Sequence, residues 1–514
     1  MKRIAFAGTD GRSLLSALEV SKAESDLYPG EFRGAVIRGM TSMPRFAEIL
    51  DWPVDFIPTE SKSVEHYAAA IIDALRNGDI DYVVPMPEDL LFEGLVDVIE
   101  EAGFGDRICG LTQEGSMLVE GDKIKCKELC RHAGIPVADA WTVIDARDFY
   151  KFRGVCLAYL NKHNGVVAKY PRSAGGKGAR IIRDAWQIWP VYKKLIEDYG
   201  KNYEKIYGKD QPWPLLIESL MAGVEISFTI PVDGKGNYQI LPTAMDYPER
   251  YDPEERGPAS KDNPITGGMC SISPHPMETP ELIEMAGRVI AEPLIAALKK
   301  KGELRPCILY PGCFISFYAD KRPGRIRVSE VNIRLGEPEM QPVARRLRNL
   351  GSLIQAMLEG NLDKVKPEVR ENQISISVAL VTGPGGPDEQ KGYPYSYTKG
   401  EKVWIDWDNI PKRILLIPSG MSWNEDKGHL VSDGTRVIYI IGNRGIKPGQ
   451  KMGEVANKLR AALLDTAKNK IRVIPVEDED GNRLVWRGDV GSQFENADSL
   501  FSNEVDFREL YEAE

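Results

Sequence analysis

The chain reads as a multidomain α/β and α+β protein, and three observations carry that reading. The first hundred residues alternate short apolar runs (IAFAG at 4–8, then GAVIRG, VDFIPT and DYVVPM) with helical patterns such as RSLLSALEVSK and SVEHYAAAIIDALRNG. Such alternation predicts a parallel sheet covered by helices. The chain has 514 residues, more than one hydrophobic core organises, so roughly two to four domains are expected. Finally, the last third is a run of strand-like segments with one clear helical pattern, MGEVANKLRAALLDTA.

Taken in order, residues 1–108 form an N-terminal α/β domain. Residues 109–140 are helical in pattern and close with CKELCRHAGIPVADA. A smaller unit, 141–217, holds the strand GVVAKY, a Gly-rich loop, the strand ARIIR and a long helix to about 206. A larger unit with β-rich segments follows, and the stretch 109–365 is expected to form one domain with the smaller unit. A charged stretch, EGNLDKVKPEVREN, leads into a β-rich unit at 366–491, and the acidic segment 492–514 is weakly patterned. Two long polar segments, 247–268 and 383–400, lack an obvious pattern, and the first, lying between strand-like regions, is expected to be a functional loop.

Composition excludes several classes. Hydrophobic content of 42% and charged content of 28% belong to a soluble globular protein. A formal charge of −10 argues against a duplex-DNA binder but allows a local basic pocket. The apolar run in MKRIAFAGTDG stops at Gly8, too short for a signal peptide, and no long uncharged apolar stretch follows, so a cytoplasmic protein without membrane or nucleic-acid partners is expected. The seven cysteines form no C-x-x-C pair; Cys126 and Cys130, one helical turn apart, are expected to be reduced, partly buried thiols.

Five motifs carry chemistry. GTDGR (8–12) stands where a strand meets a helix, where backbone N–H groups with Gly11 and Arg12 suit an anion; a plain strand–helix turn is the other reading. In VVAKYPRSAGGKGARII (166–182), a strand ends in Lys169 and a loop carries Gly175, Gly176 and Lys177. Side-chain-free backbone can fold closely over a polyphosphate, although a hairpin with solvated lysines fits as well. Lys123 begins a helix behind Asp122 as its N-cap. LLIESLMAGVEIS (215–227) places Glu218 at a strand end, Leu220 in the linker and Glu225 on the next strand, where a carboxylate can take ribose hydroxyls and linker backbone can read a base edge. Solvated acids are the alternative there. In SEVNIRLGEPEMQ (329–341), Glu330, Asn332 and Arg334 alternate. On one strand face the first two supply oxygen ligands for a hard cation such as Mg²⁺, and Arg334 can hold a phosphoryl group; a Glu330–Arg334 ion pair is the rival reading. The five histidines fall in unrelated segments, and His275 alone lies close in sequence to other site candidates.

The order of these motifs, with PE (87–88), TGGM (266–269), LYPG, GYP, DGTRV and WRGDVG, resembles the phosphoribosylamine–glycine ligases (glycinamide ribonucleotide synthetases) of the ATP-grasp superfamily. The resemblance implies a pre-ATP-grasp domain, an ATP-grasp domain with a lid, and a β-rich C-terminal domain. It implies an enzyme of purine biosynthesis that forms an amide between glycine and 5-phosphoribosylamine through an acyl phosphate, using ATP and Mg²⁺ (or Mn²⁺). By the same resemblance, Lys123, Lys169, Gly175, Gly176, Lys177, Glu218, Leu220 and Glu225 bind ATP, Glu330 and Asn332 the metal, and Arg334 and Lys177 act in catalysis. Gly11, Arg12, Glu88, Asp246, Gly267 and Gly268 lie on the substrate side. The partners implied are small molecules (ATP, an amino acid, a phosphorylated sugar amine), and the expected assembly is a monomer or small homo-oligomer. The chain departs from the family pattern at Asp10, Ser13 and Leu14, in the 247–265 segment, at Ile265 and at Thr435. Those departures all touch substrate positions, so a ligase with another amine or carboxylate is the alternative.

Overall fold

The structure is a computed structural model that describes residues 1–22, 31–163, 165–172, 178–257, 263–318, 322–383 and 391–495. Strands β1 (Lys2–Gly8), β2 (Phe32–Arg38), β3 (Val54–Ile57) and β4 (Tyr82–Pro85) form a parallel sheet in the order β3-β2-β1-β4. Along β1, Ile4 and Phe6 enter one hydrophobic cluster while Ala5 and Ala7 enter another, the period of two expected of a strand covered on both faces. Helix Gly11–Ser21 follows β1 and lies against β2 so closely that a Cβ on Gly34 would stand 1.9 Å from the Ala17 carbonyl oxygen. That contact fixes the helix whose first turn carries Arg12.

The lid sheet contains β5 (Trp141–Asp145), β6 (Val166–Lys169), β7 (Ala179–Ile182) and β8 (Pro214–Ser219), antiparallel in the order β5-β8-β6-β7. Helices Phe149–His163 and Ile188–Tyr207 back it. Its cluster, including Ile144, Phe152, Tyr170, Leu195, Tyr203 and Ile217, is separate from the two that hold the rest of the molecule. A self-contained core lets such a subdomain behave as a rigid body.

Next come β9 (Val224–Ser227), β10 (Ile230–Val232), β11 (Met245–Glu249), β12 (Ile265–Ser273), β13 (Cys307–Phe317) and β14 (Pro323–Asn332). β13 pairs antiparallel with β9, β10 and β14. Beyond residue 365 lie β15 (Gln373–Thr382), β16 (Lys402–Ile405), β17 (Ile414–Pro418), β18 (Met421–Asn424), β19 (His429–Ser432), β20 (Arg436–Gly445), β21 (Ile471–Ile474) and β22 (Leu484–Val485). β11 and β12 join β15, β20 and β17 in one sheet, with β12 paired to β15 from Cys270↔Val378 to Ser273↔Ser375. Strands from both sides of residue 365 therefore share a sheet. A smaller sheet has the order β18-β19-β16-β21.

The 247–268 segment is more ordered than its composition predicts: it holds the end of β11, the short helix Pro253–Arg256 and the start of β12, with 258–262 outside the described residues. All seven cysteines are free and buried. Among the described residues no helix is long and apolar enough to cross a membrane.

Candidate active site

Glu330 and Asn332 end β14 opposite Gly312 and Tyr310, and both line a small cavity with Lys123, Cys126, Lys127, Lys169 and Ser329. The strand is irregular here: the register shifts between Gly312 and Cys313, which leaves Ser329 without a counterpart. Burial would raise the Glu330 carboxyl, but Lys123, Lys169 and Arg334, with a hydrogen bond from Asn332, hold it below its ordinary value. The Asn332 amide nitrogen also donates to the Tyr310 carbonyl at 3.3 Å. With its NH₂ so engaged, its Oδ1 is the group left to accept or ligate. An ionised carboxylate and an amide oxygen beside clustered lysines fit a hard cation that takes its other ligands from phosphates and water.

Arg334 departs from the one-face expectation. β14 ends at Asn332, and beyond it the Arg334 Nε lies 3.4 Å from Glu88 and 3.5 Å from Glu120. Glu120 belongs to a π-helical turn, Met117–Gly121, and accepts the Ile333 N–H at 2.8 Å. Burial pushes its carboxyl up to about 7 despite Arg334, with the neighbouring Glu88 adding to the rise. The Glu88 carboxyl is also disfavoured by burial, but Arg334 and Arg12 hold it below the usual range.

The lysines converge on Glu218. Helix Lys123–His132 starts behind Asp122, whose carboxylate accepts from the N–H groups of Ile124 and Lys125, the cap expected from sequence. One turn along it, Lys127 Nζ lies 2.6 Å from Glu218 Oε1, and Lys169 Nζ on β6 lies 2.6 Å from Oε2. All three are almost fully buried. Burial opposes ionisation of Glu218, yet Lys169 and Lys127 bring its pKa below normal, and Glu218 raises that of Lys169. Glu218, expected at the adenine hinge, thus faces Lys127 and Lys169. Leu220, expected to read a base edge, donates its N–H to the Gly165 carbonyl at 3.0 Å. Gly175, Gly176 and Lys177 lie outside the described residues.

On the substrate side, the helix start at Gly11 and Arg12, where an anion or a plain strand–helix turn was expected, is engaged by the chain's own groups. Asp10 caps the helix, accepting the N–H groups of Arg12 and Ser13, and its Oδ2 lies 2.7 Å from the Arg12 guanidinium. Arg12 also pairs with Glu337 at 2.7 Å and donates to the Leu335 carbonyl at 2.5 Å. The chain's own carboxylates therefore occupy the helix N-terminus. Across the cleft, Arg436 Nε donates to Tyr393 Oη at 2.8 Å and another of its nitrogens to the Gly267 carbonyl, while the Gly267 N–H donates to Tyr393 Oη at 2.9 Å. Gly268 (φ +102°) leaves no room for a side chain: a Cβ would lie 2.2 Å from Pro338 Cδ and 2.9 Å from Asp246 Oδ1.

Glu225, expected at the ribose, is exposed on β9, and desolvation by the surrounding protein with the carboxylates of Glu249, Glu330 and Glu339 pushes it up to about 7. His275 Nδ1 accepts the Met277 N–H at 3.0 Å, so Nε2 carries the proton and donates to the Glu225 carbonyl at 3.0 Å. His275 therefore buttresses the backbone of Glu225. Burial lowers its pKa from 6.5 to about 4. A depressed folded-state value means the unfolded chain binds the proton more readily, so this contribution is complete above about pH 6.5 and is lost as pH falls toward 4. Its size is on the order of 3 kcal/mol. Unfolding midpoints measured between pH 7 and pH 4 should therefore fall less steeply for His275→Gln than for the wild type; parallel curves would overturn this assignment.

Several site residues escaped the sequence reading. Lys127 was one lysine among several in EGDKIKCK, although its spacing of four from Lys123 places both on one helix face. Glu120, Glu337, Glu339, Tyr393 and Arg436 come from segments that only tertiary pairing brings together.

The comparisons agree with this architecture. Residues 121–340 match the family model described as phosphoribosylglycinamide synthetase, ATP-grasp (A) domain. A phosphoribosylamine–glycine ligase of Caldanaerobacter subterraneus is 30% identical over 370 residues, covering 72% of this chain and 78% of the relative. One from Listeria monocytogenes is 29% identical over 377 residues, covering 72% and 79%. The crystal structure of phosphoribosylamine–glycine ligase from Thermotoga maritima superposes with TM-score 0.64 at 22% identity, covering 95% of this chain and 99% of that one. The biotin carboxylase domain of Hydrogenobacter thermophilus 2-oxoglutarate carboxylase, in complex with MgADP and bicarbonate, superposes with TM-score 0.63 at 16% identity, covering 99% and 97%. The last two likenesses speak to fold alone; with the family model and the sequence relatives, they show that the chain belongs to the phosphoribosylamine–glycine ligase family of ATP-grasp proteins.

Proposed function

We propose that this protein is an ATP-dependent ligase that joins glycine to 5-phosphoribosylamine through an acyl phosphate and releases ADP and phosphate. The observation that carries the reading is the meeting of Glu330 and Asn332 with Lys123, Lys127 and Lys169 around one cavity, in a chain of this family. A magnesium or manganese ion held by Glu330 and Asn332 would neutralise charge on the phosphates during transfer. Lys123, Lys127 and Lys169 hold the polyphosphate, and Glu218 fixes the ammonium groups of Lys127 and Lys169 in place. Arg334, set by Glu88 and Glu120, faces the transferred phosphoryl group. Lys177, from the Gly-rich loop, is assigned to the same group on the sequence resemblance. The chain thus contributes mainly positioning and charge neutralisation, which is what phosphoryl transfer asks of a protein. Because the lid has its own core, it can close as a unit and keep water from the acyl phosphate. Purified protein with ATP, Mg²⁺, glycine and phosphoribosylamine should release ADP only when both substrates are present; release at background level would overturn the reading.

One observation favours a second reading, a ligase of the same chemistry with another amine. Asp10 and Glu337 neutralise Arg12, where a sugar phosphate would otherwise find a cation. A panel of amines assayed for glycine-dependent ADP formation separates the two readings.

A further inference from the structure

The cavity at the end of β14 also holds a thiol that the ligase chemistry does not use. Cys126, on helix Lys123–His132, is 6% exposed and lines the cavity with Lys123, Lys127 and Lys169. One turn along the helix, Cys130 is almost fully buried, and its thiol lies beside that of Cys126. The cavity measures about 20 Å³, room for a water-sized molecule and little more. Glu120, on the same wall, is 8% exposed, and its Oε1 makes no hydrogen bond. A buried acceptor left open in a small polar cavity suits a guest that can donate to it. Cys126 is also the one thiol among the lining residues. Burial raises the thiols of Cys109, Cys130, Cys156, Cys270, Cys307 and Cys313. At Cys126 the neighbouring Cys130 thiol, with Lys127 and the Val331 N–H, outweighs burial and brings the thiol below its ordinary value.

We propose that Cys126 is a modification site for hydrogen peroxide, which enters this cavity and oxidises the thiol to a sulfenic acid. The Cys126 sulfur, its proton released to solvent, attacks one peroxide oxygen. An S–O bond forms as the O–O bond breaks, and the sulfur is oxidised by two electrons. The second oxygen leaves as hydroxide beside the cavity's lysine ammonium groups and takes up a proton to become water. Thiol and peroxide thus become sulfenic acid and water. Helix geometry stops the reaction there: residues four apart hold their Cβ atoms about 5–6 Å apart, beyond the roughly 3.5–4.5 Å that a disulfide needs. Cys130 therefore supports the Cys126 sulfur without closing a bond to it. The added oxygen narrows the cavity that the phosphate-side lysines line, so the modified protein loses turnover. A dithiol restores it, removing the oxygen as water and being oxidised to a disulfide itself. The oxidation is independent of the ligase reading, and only its effect on turnover rests on it.

The test exposes the reduced full chain to hydrogen peroxide and removes the peroxide with catalase at timed points. The samples are then unfolded in dimedone, which traps sulfenic acids, and the adduct is mapped by peptide mass. Cys126 should carry it alone, and should react at least about tenfold faster in the folded protein than in the urea-unfolded chain, as an activated thiol does. With tert-butyl hydroperoxide, too large for the cavity, this ratio of folded to unfolded rates should be at least about tenfold lower. Slower reaction with hydrogen peroxide in the folded protein marks Cys126 as a buried thiol only and overturns the proposal. So do equal ratios for the two peroxides, or adducts spread over the seven cysteines. ADP release by the wild type should fall in step with the Cys126 adduct and return with dithiothreitol. Under the same peroxide Cys126→Ala should keep its own untreated rate, and inactivation like that of the wild type overturns the proposal; if this variant melts early, Cys126→Val takes its place. Wild-type protein that gains the adduct but never shows glycine-dependent ADP release overturns the ligase reading alone, which keeps the two failures distinct.

Discussion

Glu330→Ala should lower turnover about 10²- to 10³-fold, the loss expected when a preorganised charge-stabilising element is removed from a transfer site. Glu330 is the single carboxylate among the residues lining the Lys123–Lys127–Lys169 cavity apart from Glu120, and Glu120 is already engaged by Ile333 and Arg334. Three cations, Lys123, Lys169 and Arg334, keep Glu330 ionised in spite of burial. On the role proposed for Glu330, its removal would deprive a bound metal of a charged protein ligand and leave those cations less compensated. Glu330→Gln retains the volume and separates the two effects. It should fold like the wild type, require a much higher Mg²⁺ concentration for half-maximal rate, and keep its affinity for metal-free nucleotide. A Mg²⁺ titration that superposes on the wild type would remove Glu330 from the metal site.

What could be read from the sequence was local, and the reason is physical. The β1–helix junction, the Asp122 cap, the end of β8 one residue past Glu218 and helix Met452–Lys470 each follow from periodicity or capping within about a dozen residues. Asp10 was equally legible as an N-cap, since Asp directly before a helix accepts its first N–H groups. The pairing of β12 with β15 spans about a hundred residues and leaves no local signal. Arg334 illustrates a different limit. Alternation predicts one face only while the strand continues, and β14 stops two residues before Arg334. The asymmetry between Lys123 and Lys127 is of a third kind: helix spacing brings both to one face, but only the position of β8 decides that Lys127 meets Glu218.

The Lys127–Glu218–Lys169 triad makes the largest stability prediction. Glu218→Gln should destabilise the protein by about 3–5 kcal/mol, because it strands two buried ammonium groups that lose partners at 2.6 Å. Replacing all three by apolar residues of similar volume can be nearly neutral, so the cost belongs to the broken set and not to the presence of charge. A double-mutant cycle tests this. Lys127→Met combined with Glu218→Gln should be less destabilising than the sum of the single changes by about 1–3 kcal/mol, since the second substitution removes one of the charges that the first leaves unpaired. The triad also joins two bodies: Glu218 and Lys169 belong to the lid sheet, whereas Lys127 belongs to a helix whose Cys126 and Leu129 pack in the core below. Breaking it should therefore loosen the lid before the rest of the chain. Backbone amides of β6 and β8 should exchange faster in Glu218→Gln while those of β1 and β2 keep the wild-type rate, and equal acceleration in both sheets would show that the triad stabilises the whole fold and not the seating of the lid.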